Sequence, residues 1–284
     1  MSVLPTFLVL LESLLNSLAS FLKDAPALIA VMAFFIAWIG CWLPVVAVFS
    51  KALKLQPEQK LPLIISLYLI APLIVWGASR FTNTNFLDYG LVGNISLLSS
   101  LGLGFSLGIL ILAIVFTLQF ASGWCYFQCH IKQVQSILLP SLFVALLVGG
   151  IEELVFRGFL FTQLTQDYSI WVAAAISSLI FALLHLVWEQ RETIPQIPGL
   201  WLMGMVLVLA RLADGGSLGL AWGLHAGWIW AIASTDTAQL IKYTGIAPEW
   251  VTGQNQKPLA GMAGIVCLLL TGLIMVFFCK YSIS

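Results

Sequence analysis

Apolar stretches of about twenty residues, the length that crosses a bilayer as a helix, follow one another along almost the whole chain. A bilayer core offers backbone groups no water, so only helices and closed barrels span it. The runs lie near 27–49, 61–79, 96–120, 138–161, 170–188, 198–213, 217–234 and 259–279. They predict an all-α, polytopic transmembrane helical bundle of about eight spans. Only the turn Asp214-Gly215-Gly216-Ser217 parts the sixth run from the seventh, so these two are expected to form a tight helical hairpin. Charged residues make up only 8% of the chain, against about 25% in a typical soluble domain. Many of the 11 Trp stand near the ends of apolar runs, as an interfacial aromatic belt requires.

Residues 3–22 follow a different pattern. Leu4, Phe7, Leu8, Leu11, Leu14, Leu15, Leu18, Phe21 and Leu22 recur at helical spacing, with Glu12, Ser13, Asn16, Ser17 and Ser20 on the other side. This reads as an N-terminal amphipathic helix lying in the interface. No basic segment or small-residue cleavage site marks it as a removable leader. The two longer loops are 80–95 and 235–258, and no internal repeat of the transporter kind is visible. Lys51, Lys54 and Lys60 crowd the first loop. Basic residues favour the cytoplasmic side, which places both termini outside.

Charge and cysteine usage exclude some functions. The 12 basic and 12 acidic side chains balance, so there is no basic footprint for nucleic acid. Cys41 and Cys267 lie in apolar runs and read as packing groups. Cys125, Cys129 and His130 fall in WCYFQCH, with the thiols at helical i, i+4 spacing rather than the C-x-x-C of metal sites. Cys279 is sixth from the end and so forms no prenylation box, which needs Cys fourth from the end.

The chemistry is concentrated in ionisable groups inside apolar runs. Glu152, Glu153 and Arg157 lie in LLVGGIEELVFRGFLF, His185 ends ISSLIFALLH, and His225 lies in SLGLAWGLHAGWIWAIA. Each costs at least a few kcal/mol near a bilayer centre, which marks it for function. Residues four apart share a helix face, so Glu153 can pair with Arg157. Glu152 is turned by ~100° from its neighbour and is free for another role. Glu189 follows His185 by four residues and could orient it. Two glutamates and two histidines on three long helices can converge on one water. A glutamate can act on it as general base, and an imidazole can polarise a carbonyl or stabilise its oxyanion. The same set could instead ligate a divalent metal such as zinc, although no H-E-x-x-H context favours it. It could also serve an intramembrane proton relay in a transporter, which the lack of a repeat opposes.

These residues resemble a known family. IEELVFRG is similar to the EExxxR motif of the type II CAAX prenyl endopeptidase and bacteriocin-processing (CPBP, or Abi) family. Phe181-Ala-Leu-Leu-His185 is similar to its FxxxH motif, and SLGLAWGLHAGW to its last histidine region. The resemblance covers about residues 138–234. It implies a catalytic core there, between an N-terminal membrane region (1–137) and a loop with the last span (235–284). It implies an intramembrane endopeptidase of eight helices acting on a peptide or membrane-protein segment admitted from the bilayer, with no cofactor expected and a divalent metal such as zinc as the alternative. Glu152 would be the water-activating base, His185 its partner and His225 the oxyanion donor, with Glu153, Arg157 and Phe181 in support. Eukaryotic members carry Asn four residues after the last histidine, where this chain has Ile229. The resemblance therefore leaves prenylated substrates open, and with them the rival of a non-catalytic partner-binding or immunity factor. A bacterial cytoplasmic membrane is the expected location, and a plastid membrane would give the same pattern.

Overall fold

The computed structural model describes residues 9, 12, 13, 16, 17, 20, 25–52, 61–82, 84–128, 131–187 and 190–282. The apolar runs form helices, as the bilayer argument demands. Helices α1 (Ala27–Ala52), α2 (Leu61–Thr82), α3 (Ile95–Ala121) and α4 (Ile131–Glu152) come first. A π-helical segment, Glu153–Leu160, extends α4 into a last turn, Phe161–Leu164. Helices α5 (Ile170–Leu184), α6 (Ile197–Ala213), α7 (Gly219–Thr237) and α8 (Met262–Ser282) complete the bundle. The expected interfacial helix over 3–22 lies mostly outside the described residues; Val9, Glu12, Ser13, Asn16, Ser17 and Ser20 are helical and exposed.

The bundle is as expected, with one helix set apart by its composition. Among the described residues, 7 helices are long and apolar enough to cross a membrane, and the chain is an integral membrane protein. The run at 217–234 is helical, as α7, but is not one of the seven. Neighbouring helices cover it instead of lipid. Gly219–Leu220–Ala221 and Gly223 through Trp228 are buried, chiefly against α3 and α4. A helix enclosed by protein can carry His225 and three glycines without an apolar outer face.

Small residues set how close α7 comes to α3. A Cβ at Gly104 would lie 2.3 Å from Leu220 O, and one at Gly223 only 2.1 Å from Leu101 O. Such backbone approach is a recognised basis of helix association in lipid. On its other side α7 is tied to α4 by indole donors: Trp222 Nε1 to Leu146 O (2.8 Å) and Trp230 Nε1 to Leu138 O (2.9 Å). These contacts fix the rotation of α7, and hence where His225 points.

Loops finish the frame. The α6–α7 hairpin is confirmed, with Gly215 and Gly216 at φ +62 and +92 in its turn. The first long loop docks on that turn, where Leu218 N–H donates to Gly90 O (2.9 Å) and Tyr89 is fully buried. The second contains strand β2 (Ile241–Tyr243), paired antiparallel with β1 (Cys125–Phe127). Cys125 is thus on a strand; Cys129 and His130 lie outside the described residues.

Candidate active site

The end of α4 and its π-helical extension carry the acidic pair. All eight residues from Glu153 to Leu160 are buried. π-Helical turns are rare and recur at functional sites. Here the wide turn is held by a second arginine. Arg211 of α6 donates to Arg157 O, to Thr162 Oγ1 (3.1 Å), to Gly216 O (3.0 Å) and to Asp88 O (3.2 Å). One guanidinium therefore joins the π-helical backbone, the α6–α7 turn and the first long loop.

Side chains from four helices meet inside. Arg157 Nη1 lies 3.0 Å from Glu153 Oε1, both fully buried, as the i, i+4 spacing predicts. The same oxygen is 2.7 Å from His225 Nδ1. A carboxylate accepts only, so Nδ1–H is the donor. His225 Nε2 faces Glu152 Oε2 at 3.5 Å. The other Glu152 oxygen accepts from the hydroxyl of Tyr68 on α2. Among the described residues, Glu153 Oε2 and the Nε and Nη2 of Arg157 have no hydrogen-bond partner. Arg157 instead lays its guanidinium 4.4 Å from the centre of the Phe181 ring, a cation–π contact.

Phe181 joins the two histidines. Its fully buried ring lies 4.6 Å from that of His185 and 5.9 Å from that of His225. His185 Nδ1 is 2.8 Å from Phe181 O. A carbonyl also accepts only, so that nitrogen carries the proton, and in the neutral ring Nε2 is left as an acceptor. Glu189, the expected orienting partner of His185, lies outside the described residues.

Glu152 and His185 line a cavity of about 240 Å³. Its other polar wall group is Tyr68; the rest is apolar or aromatic, with Phe35, Trp38 and Trp42 of α1 and Val155 and Phe156 of the π-helical segment among them. His225 does not line it but stands behind Glu152. That departs from the oxyanion role implied by the resemblance, because both ring nitrogens already face carboxylates. The arrangement also does not fit a zinc site. Among the described residues no three His, Cys, Asp or Glu side chains are grouped as ligands. A guanidinium on Glu153 further opposes a cation there.

Sequence reasoning missed Tyr68 and Arg211. A tyrosine in an apolar run gives no charge signal. Arg211 does give one, but its place beside the Asp214 turn disguises it as a helix-end cation.

Comparison with known proteins agrees with the motif reading. An uncharacterised 24.3 kDa protein of Escherichia coli is 29% identical over 89 residues, 31% of this chain. The match spans 40% of that protein's length. No solved structure matches the chain. Residues 134–231 match the family described as type II CAAX prenyl endopeptidase Rce1-like. That stretch, about a third of the chain, holds both glutamates, Arg157, Phe181 and both histidines, and it is similar to the type II CAAX prenyl endopeptidase Rce1-like family.

Proposed function

We propose that the chain is an intramembrane endopeptidase in which Glu152 activates water against a peptide bond of a membrane-associated substrate. The observation that carries this reading is the placement of Glu152. It is a buried carboxylate whose one oxygen accepts from Tyr68 and whose other faces His225, on the wall of a largely apolar cavity. Such a group within reach of a water meets the geometric condition for a general base.

The acting groups are side chains alone. Glu152 takes a proton from water, and the water oxygen bonds to the carbonyl carbon. His185 offers Nε2 to the second water proton. The proton gained by Glu152 is shared with His225 Nε2, then passes to the leaving nitrogen as the C–N bond breaks. Glu153 and Arg157 hold His225 in place through the Nδ1 contact. The cavity wall favours an apolar segment beside the scissile bond. A bacterial cytoplasmic membrane is the proposed location.

The test uses the full chain in lipid nanodiscs. Two internally quenched peptides are offered, one with a farnesylated cysteine fourth from its C-terminus and one without the lipid. Cleavage of either that falls by 10²–10⁴ in Glu152→Gln supports general-base catalysis. Binding without cleavage by the wild type would instead make the chain a partner-binding protein.

A further inference from the structure

The matched stretch does not complete the site. Tyr68 belongs to α2, outside residues 134–231, yet its hydroxyl donates to Glu152 Oε1 across 84 residues of sequence. The stretch of α2 just before it is braced by α1. Trp38 Nε1 donates to Leu67 O (3.1 Å), and Trp42 Nε1 donates to Ser66 Oγ (3.0 Å). Ser66 Oγ in turn donates to Leu63 O (2.7 Å). The tyrosine is therefore presented from a fixed backbone.

The consequence lies at the carboxylate. The last torsion of a glutamate is broad and roughly two-fold, so a carboxylate held at one oxygen can swing. Tyr68 supplies the standing hold on Oε1, while His225 Nε2 stands 3.5 Å from Oε2 and holds it only when one of the two carries a proton. A carboxylate has about four lone-pair sites, so two remain for a water on the cavity side. Tyr68 and Glu152 both line that cavity.

Resting on the reading of Glu152 as general base, we propose that Tyr68 is a positioning residue that fixes the plane of the Glu152 carboxylate toward the cavity. A tyrosine that merely tied α2 to α4 would affect stability. One that aims the base affects the chemical step, where displacement by about an ångström can cost 10²-fold.

The experiment combines kinetics with a readout that needs no substrate, using the full chain in nanodiscs and the farnesylated quenched peptide. Tyr68→Phe is expected to lower kcat by about 10- to 100-fold, with KM and Tm unchanged and no further loss in a Glu152→Gln background. Infrared difference spectra of wild type against Glu152→Gln isolate the Glu152 carboxyl band, which Tyr68→Phe should shift. Incorporation of 3-fluorotyrosine at position 68 keeps the ring and the donor and should restore kcat, and it serves as the folded comparison if the Phe variant is unstable. A cleaving protein whose carboxyl band does not move in Tyr68→Phe, or whose kcat stays within three-fold of wild type, overturns the positioning role alone. A kcat equally low with 3-fluorotyrosine overturns it too. If the wild type cuts neither peptide, the endopeptidase reading fails and the positioning role falls with it, whatever the band shows.

Discussion

His225 stands between two consecutive carboxylates, with Nδ1 2.7 Å from Glu153 Oε1 and Nε2 3.5 Å from Glu152 Oε2. A proton on either Nε2 or Oε2 makes the second contact attractive; without one, two acceptors face each other. On the proposed reading, the imidazole relays a proton to and from Glu152 while Glu153 holds its other nitrogen. His225→Phe removes the relay while filling the space. It should lower the cleavage rate by ~10²–10⁴, the usual range for a proton-transfer group. Initial rates on the quenched peptides decide this, and a variant keeping a tenth of the wild-type rate contradicts it.

The Glu153–Arg157 pair is expected to dominate stability. Removing one partner of a buried pair costs about 3–5 kcal/mol, because the other charge stays buried and uncompensated. Arg157→Leu should accordingly lower the Tm in detergent sharply. Arg157→Leu combined with Glu153→Leu should be less damaging than Arg157→Leu alone. Thermal unfolding followed by circular dichroism checks the order, and a more damaged double variant would refute it.

The α3–α7 contact gives a contrast between a buried glycine and an exposed one. Gly223→Ala forces a Cβ against Leu101 O and should destabilise by about 1–3 kcal/mol, as overpacking does. At Gly102 an added Cβ meets nothing within 4 Å, so Gly102→Ala should be neutral or stabilising. Equal losses at the two positions would count against the close approach.

Alkaline pH should loosen the small sheet. Burial pushes the Tyr243 phenol up to about 12, with Cys125 and Asp236 adding to the shift. The folded state thus holds this proton more tightly than the unfolded chain, whose tyrosine ionises near its usual value of about 10. The stability so contributed is complete below about 10 and is lost as pH rises toward 12. Tyr243→Phe should flatten that part of the profile of Tm against pH. An unchanged alkaline slope in the variant speaks against it.

What could be read from the sequence followed charge and period. Glu152, Glu153, Arg157 and His225 stand out because an ionised group in an apolar run is costly. The Glu153–Arg157 contact follows from spacing alone. The π-helical form of Glu153–Leu160 does not, since it depends on Arg211 and Asp88, which are distant in sequence. The strands β1 and β2 have three residues each, too few for an alternation to show. The position of His225 behind Glu152 was hidden for the same reason: spacing fixes a face of one helix, not the rotation of its neighbour.

The low apolarity of α7 bears on how the protein is made. Insertion through a translocon is governed by a segment's own transfer free energy, and α7 is not among the helices apolar enough to cross unaided. It packs chiefly on α3 and α4, both synthesised before it. The helix that completes the candidate site is thus one made after its partners, so a nascent chain would acquire its reactive centre only after the surrounding bundle has formed.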